Sequence, residues 1–325
     1  MENPTALVSD SDTRPKWFSS PVTSHQGSLA AVRAHIPDFE RRSFSLAQPG
    51  GEHTCLNVRL DTIVRRPFKG DGNFIPVGVV SKDYTLVHHK AALNIVERSL
   101  ASVCVDPADV QAEIEITEYG ERMHLSLYLP EKYTFDPGDG HPMALRLECF
   151  NSVDGSTRFR ALMGWFRFVC RNGMVIGVTR SDLRRRHVGE LPIEEVGKIL
   201  SSGLEEAEIE KNNFERWRRA PIAFDKLAPW IDKDLKAGWG FKAAARAYHI
   251  ACHGSDAEVA GPYKGNEPTS IPMKSVERVP GTPERCGNLF DLSQILAWLA
   301  KERRDVQEQL DWREKIPRLI APLMN

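Results

Sequence analysis

Arginine is the residue type whose number and spacing suggest chemistry. Between Arg158 and His187 lie eight arginines, Arg158, Arg160, Arg167, Arg171, Arg180, Arg184, Arg185 and Arg186, against the single acid Asp182, an excess of seven positive charges. Aromatic residues interleave them at Phe159, Trp165, Phe166 and Phe168. A guanidinium presents a planar fork of donors that matches phosphate oxygens, and an exposed ring stacks unpaired bases. The eight arginines and Trp165 are therefore the candidate nucleic-acid contacts. The competing reading is that the arginines mark the wet face of a sheet, offset by acids such as the EEAEIE run at 205–210.

Other constellations carry less. No phosphate-binding GxxxxGK[ST], dinucleotide-binding GxGxxG, zinc HExxH or nucleophile-elbow GxSxG pattern occurs, so no catalytic residue and no cofactor is assigned. Adjacent His88 and His89 would point to opposite faces of a strand. His249 and His253 stand four apart on a predicted helix with Cys252 nearby, but a third ligand is missing, and no metal is expected. Asp136, Asp139 and Glu148 imitate a nuclease carboxylate cluster, yet the first two fall in a Pro-Gly turn and no lysine follows Glu148 at the usual spacing.

Composition bounds the rest. Across 325 residues, 43 lysines and arginines face 44 aspartates and glutamates, so any attraction to nucleic acid must come from local clustering. The six cysteines are scattered without a CxxC pair, which reads as free thiols in a reducing compartment. No stretch reaches the length of a membrane-spanning helix and the start lacks the pattern of a signal peptide, so the expectation is a cytoplasmic protein with no membrane partner.

The elements that must position the arginines follow from periodicity. Residues 1–28 are polar and rich in Ser, Thr, Asp and Pro, predicting a flexible N-terminal arm. NVRLDTIVRR and FIPVGVVS flank a PFKGDGN turn as two strands, and residues 84–88 read as a short extended piece. AALNIVERSLASV carries apolar residues at helical spacing. A hairpin turns at Tyr119-Gly120-Glu121, and MALRLECFNS pairs with STRFRALMGWFRFVC around Val153-Asp154-Gly155. LPIEEVGKILSSGLEEAEIEKNNFERWRR is a long amphipathic helix closed by Pro221, and GFKAAARAYHIACHG is a second helix ending at Gly254. Residues 255–287, dense in Pro, Gly, Ser and charge, predict a long exposed loop, and Leu289 onward predicts one or two helices capped at Asp291 or Ser293.

The run LECFNSVDGSTRFRALMGWFRFVCRNGMVIG resembles the signature of a phage- and plasmid-like family known as domain of unknown function 932. The positions that carry the resemblance are Asn151, Ser152, Asp154, Gly155 and Ser156, then Arg167, Val169, Cys170, Asn172 and Gly173. VSKDYTLVHHKAALNIVE extends it upstream, so that it covers roughly residues 73–180. Arg171 departs from the small polar residue usual there, and the segment from Gly287 matches loosely. The resemblance implies residence on a mobile genetic element and no known catalytic residue. Turn chemistry alone accounts for Asp154-Gly155 and Asn172-Gly173.

The sequence therefore predicts an α+β fold: a bent, mostly antiparallel sheet with a packed helix over residues 29–190, then a largely helical half over 191–325. The leading function is non-enzymatic nucleic-acid binding, with single-stranded DNA as partner, in single-strand binding or annealing during recombination. The link to annealing proteins is analogy of architecture. Two other readings stay open: an interaction or counter-defence protein that binds a host protein, and a metal-dependent nuclease. The apolar stripe of Leu289, Leu292, Ile295, Leu296, Leu299 and Val306 would either pack inside the chain or form the seam of a homo-oligomer.

Overall fold

A computed structural model describes residues 21–47, 54–157, 159–167, 183–185, 193–303 and 306–324. In chain order the first half runs β1 (Val22–Ser28), α1 (Leu29–Arg33), β2 (Phe39–Ala47), β3 (Thr54–Arg65), β4 (Ile75–Ser81) and α2 (His89–Ser102). It continues with β5 (Gln111–Thr117), β6 (Arg122–Tyr128), β7 (Thr134–Phe135), β8 (Met143–Ser152), β9 (Phe159–Arg167) and β10 (Leu183–Arg185). A seven-stranded sheet has the order β1-β5-β6-β8-β9-β10, with β7 pairing β8, and every pairing in it is antiparallel. A second sheet, β2-β3-β4, is antiparallel and three-stranded. The α+β class and the antiparallel sheet are as the alternating patterns predict.

The expected N-terminal arm is corrected in its described part: residues 22–28 form β1, paired along its whole length with β5. Its side chains read as polar because β1 is an edge strand, whose backbone bonds rather than its apolar content hold it in place. Ser28 then caps α1, its hydroxyl accepting from the Ala31 amide at 3.2 Å.

The second half is helical, with α3 (Ile193–Arg219), α4 (Phe224–Trp230), a π turn over Ile231–Leu235, α5 (Lys236–Trp239) and α6 (Phe241–His253), as the periodicity predicts for α3 and α6. Gly254, at φ +63°, ends α6; a side chain there would collide with the Pro283 carbonyl. The predicted exposed loop at 255–287 is overturned. It contains the hairpin β11 (Ser255–Val259) and β12 (Met273–Arg278), pinned to α6 by a two-pronged ion pair between Arg246 and Asp256. Short polar strands with a bulge leave little periodicity to read.

The chain closes with α7 (Leu289–Lys301) and α8 (Val306–Ile320). Asn288, rather than Asp291 or Ser293, caps α7 by accepting from the Asp291 amide at 2.9 Å. Every residue of α7 from Leu289 to Ala300 except Asp291 is buried, so the described part of its apolar stripe is consumed inside the chain and offers no subunit seam. One continuous hydrophobic core includes Leu93 and Val96 of α2, Leu125 and Leu147 of the sheet, Phe214 of α3 and Leu296 of α7. The two expected halves therefore share a core. A smaller cluster of Phe39, Ile63, Val80 and Val153 joins the three-stranded sheet to the β8–β9 turn. Among the described residues no helix is long and apolar enough to cross a membrane.

Candidate nucleic-acid interface

β9 carries three of the predicted contacts, and both of its faces are covered. All residues of β8 and β9 are buried: β8 lies between β6 and β9, and β9 meets β10 along Phe159–Ala161. Arg160 is 4% exposed and donates to Glu314 of α8 at 2.8 Å. Arg167 is 1% exposed and is held by Asp139 and Gln294. Trp165, expected to stack a base, is buried with its indole N–H on the Ala207 carbonyl of α3 at 3.2 Å. These three expectations are corrected: the charges are met inside the protein, and the ring belongs to the core. Arg184 and Arg185 lie on β10, the last strand of the sheet among the described residues, opposite Arg160 and Phe159. Arg158, Arg171, Arg180 and Arg186 lie outside the described residues.

The polar face of the seven-stranded sheet holds more charge than the sequence suggests. Glu148 is 2% exposed between Arg146 of its own strand and Arg313 of α8, whose guanidinium burial and the Arg146 charge push down to about 9. His124 places Nδ1 2.9 Å from Glu115 and Nε2 3.2 Å from the Ser126 hydroxyl, with its ring stacked on Phe150. Burial pushes its imidazole down, against the upward pull of Glu115. Carboxylate, imidazole and hydroxyl thus stand in the order a hydrolytic triad uses. However, Ser126 is 3% exposed and sits mid-strand opposite Glu113 and Glu148, where backbone amides belong to the ladder and make no oxyanion hole. The arrangement fixes a tautomer and a strand register.

The carboxylates considered for a nuclease have separate partners. Asp136 accepts from the amides of Gly138, Asp139 and Gly140, which hold its carboxyl below the usual range, while Asp139 serves Arg167 and Glu148 serves Arg146. His249 contacts Ser275 at 2.9 Å, and among the described residues no group of three or more metal-ligating side chains is placed to hold an ion.

The signature turn is a joint between the sheets. Asn151, 1% exposed, donates to the Val87 carbonyl at 2.9 Å and meets His89 Nδ1 at the same distance, while His89 Nε2 reaches the Gly120 carbonyl. Asp154 pairs with Arg122 at 3.0 Å and accepts from the amide and hydroxyl of Ser156. Gly155 takes φ +78°, and Tyr84 donates its hydroxyl to the Ser152 carbonyl at 3.1 Å. Asn172 and Gly173 lie outside the described residues.

The exposed surface that combines cations with aromatic rings is elsewhere, on the outer face of β2-β3-β4. Arg42, Thr62 and Val79 stand side by side across its three strands. Phe44 is 39% exposed and Phe74 44%, and the Arg42 guanidinium lies 4.2 Å from the Phe74 ring centroid. With Val64, Pro76 and Val79 these residues line a shallow groove of about 470 Å³. Residues 39–47 and 54–82 hold seven lysines and arginines against three acids, of which Glu40 pairs with Arg42 and Arg66, Asp61 with Arg41 and Lys82, and Asp71 with the buried Arg65. Sequence reasoning identified the strands β3 and β4 but missed this face. The available signal was the arginine-aromatic run ERRSF, which holds Arg42 and Phe44, with Phe74 just before β4.

A family model described as domain of unknown function (DUF932) matches residues 76–256, more than half of the chain, from β4 to the first residues of β11. No solved structure matches the chain.

Proposed function

We propose a function for a chain that belongs to the family described as domain of unknown function DUF932: non-enzymatic binding of single-stranded nucleic acid on the outer face of β2-β3-β4. The observation that carries it is the pairing of Arg42 with Phe74 beside Phe44 on an uncovered sheet. A flat antiparallel face with protruding rings and a basic surround lets bases stack while the backbone tracks the cations, without reading sequence. The arginines of the 158–187 segment join the proposal at β10, whose edge position suits Arg184 and Arg185, with Arg186 next in the chain, to phosphate contact. On a mobile element such binding would serve strand protection or annealing during recombination.

The test is fluorescence anisotropy of a labelled oligothymidylate at two salt concentrations. Stacking contributes about 1–3 kcal/mol per base, so Phe44→Ala with Phe74→Ala should weaken binding by roughly 30-fold or more. Both rings are substantially exposed, so the fold should survive. No binding by the intact protein, or equal binding by the double variant, overturns the proposal. Capture of a protein partner by the same face, lost in the double variant, would favour the interaction reading instead.

A further inference from the structure

A second recess lies in the helical half, outside the sheet surface and independent of its proposed role. It has a volume of about 390 Å³ and is walled by the first turn of α6, by Trp239 and Trp312, and by Tyr263 and Arg303. Trp239 and Trp312 stack at 4.3 Å between ring centroids, and the Arg303 guanidinium lies 4.4 Å from the Trp312 centroid. Phe241 and Tyr263 stack at 5.1 Å on the other side. The cations on the wall are Lys242, Arg246 and Arg303, and no acid lines it among the described residues. Asp256 grips Arg246 from behind, and Glu308 lies 3.6 Å from Arg303, so Lys242 is the cation that its neighbours leave most exposed.

Three details of the wall favour an anion with a planar ring. The first intrahelical bond of α6 runs from the Ala244 amide to the Gly240 carbonyl at 3.1 Å, so the amides of Phe241, Lys242 and Ala243 have no helical acceptor. Gly240 provides no side-chain cap, the first turn holds no acid, and the space over the Gly240 Cα is open for 4 Å. Such an end concentrates partial positive charge from the helix dipole. The indole N–H of Trp239, a residue 6% exposed, is buried with no hydrogen-bond acceptor among the described residues. A buried donor left in this way costs on the order of 1–3 kcal/mol, which a bound acceptor would recover.

We propose that this recess binds a nucleoside monophosphate, its base against the Phe241–Tyr263 wall and its phosphate on the α6 amides and Lys242. The volume lies within the range of small-molecule sites, and the mix of rings with few cations suits a nucleotide better than a bare anion. The experiment is titration calorimetry of the full chain with nucleoside 5′-monophosphates, adenosine and inorganic phosphate. A saturable nucleotide heat is expected, with adenosine and phosphate each at least about tenfold weaker, and with Lys242→Ala and Tyr263→Ala each weakening the nucleotide about tenfold. Both side chains are exposed, so these variants should keep the fold. The Phe44, Phe74 double variant should bind the nucleotide as the intact chain does. No saturable heat, phosphate binding as tightly as nucleotide, or loss of the heat in that double variant would each overturn the proposal.

Discussion

Alanine at Gly78 should loosen the three-stranded sheet while leaving the larger core intact. A Cβ at Gly78 would lie 2.7 Å from the Asp154 Cα and 2.8 Å from its Cβ, closer than the 3.0 Å that real Cβ contacts essentially never breach. Asp154 cannot swing aside, because Arg122 and Ser156 hold its carboxylate and its own backbone is the obstacle. β4 and the β8–β9 turn must therefore separate by several tenths of an ångström. That separation strains the Tyr84–Ser152 bond and opens the small cluster of Phe39, Ile63, Val80 and Val153. Overpacking of this kind costs about 1–3 kcal/mol. Since the cluster is separate from the main core, the cost should appear as local opening. At about 2 kcal/mol, amide hydrogen exchange in β3 and β4 should speed up by a factor of about 30, with little change in α7. Gly155→Ala should act through the same joint, since an ordinary residue at its φ of +78° costs about 1–2 kcal/mol. The two costs should add incompletely, because they strain one contact. Unchanged exchange in β3 and β4 for Gly78→Ala would refute the reasoning. So would a Gly155→Ala variant of normal stability that loses strand binding, for it would give the turn a direct functional role.

Replacing Arg184, Arg185 and Arg186 together with alanine should flatten the log-log salt dependence of strand binding by up to about 2 units, at about 0.7 per phosphate contact, as read by anisotropy; an unchanged slope removes them from the interface. Arg167→Ala should cost about 3–5 kcal/mol in urea denaturation, since it strips the partner from Asp139 and empties a fully buried site, whereas a cost within 0.5 kcal/mol would show the guanidinium to be superficial. His124→Gln should flatten the loss of stability in acid. Its imidazole is held below the unfolded value of 6.5, so the unfolded chain binds the proton first, and the contribution is full above that value and falls as pH drops through it. Equal slopes for variant and parent between pH 7 and 5 would show that His124 titrates normally.

β3 to β6, α2, α3 and α6 were legible because each has one apolar side at a regular period, as in Ile114, Ile116, Leu125 and Leu127 or in Ala92, Ile95, Val96 and Leu100. Three things were hidden, each for a physical reason. β1 and the β11–β12 hairpin are polar strands held by backbone pairing and by Arg246–Asp256, and neither leaves an apolar rhythm. The burial of Arg160 and Arg167 depends on partners more than a hundred residues away, Glu314 and Gln294, that local sequence cannot supply. Phe44 falls in no element that the periodicity predicts and Phe74 only opens the run FIPVGVVS, and tertiary placement alone leaves both rings uncovered.

The molecule thus inverts the ordinary assignment of side chains in two places. Beneath α8, Arg146, Glu148 and Arg313 are buried where apolar residues would pack at less desolvation cost, while on β2-β3-β4 the rings of Phe44 and Phe74 face solvent where polar residues would cost nothing. The two inversions differ in consequence. Buried charges that answer one another are finished: Arg160 has Glu314, Arg167 has Asp139, and a nucleic acid could reach them only by displacing helices of the core. The exposed rings are unfinished, for Arg42 satisfies one face of Phe74 and nothing in the described chain covers the groove beside it. The matched span begins at residue 76, so β2 and β3, which bring Arg42, Phe44 and Val64 to that groove, lie before it, whereas the signature turn that anchors β4 lies within it. A binding surface assembled in this way takes its position from the turn at Asp154 and its chemistry from the strands that precede it. Loosening that turn should therefore weaken strand binding through β4 even though none of its own residues touches the strand.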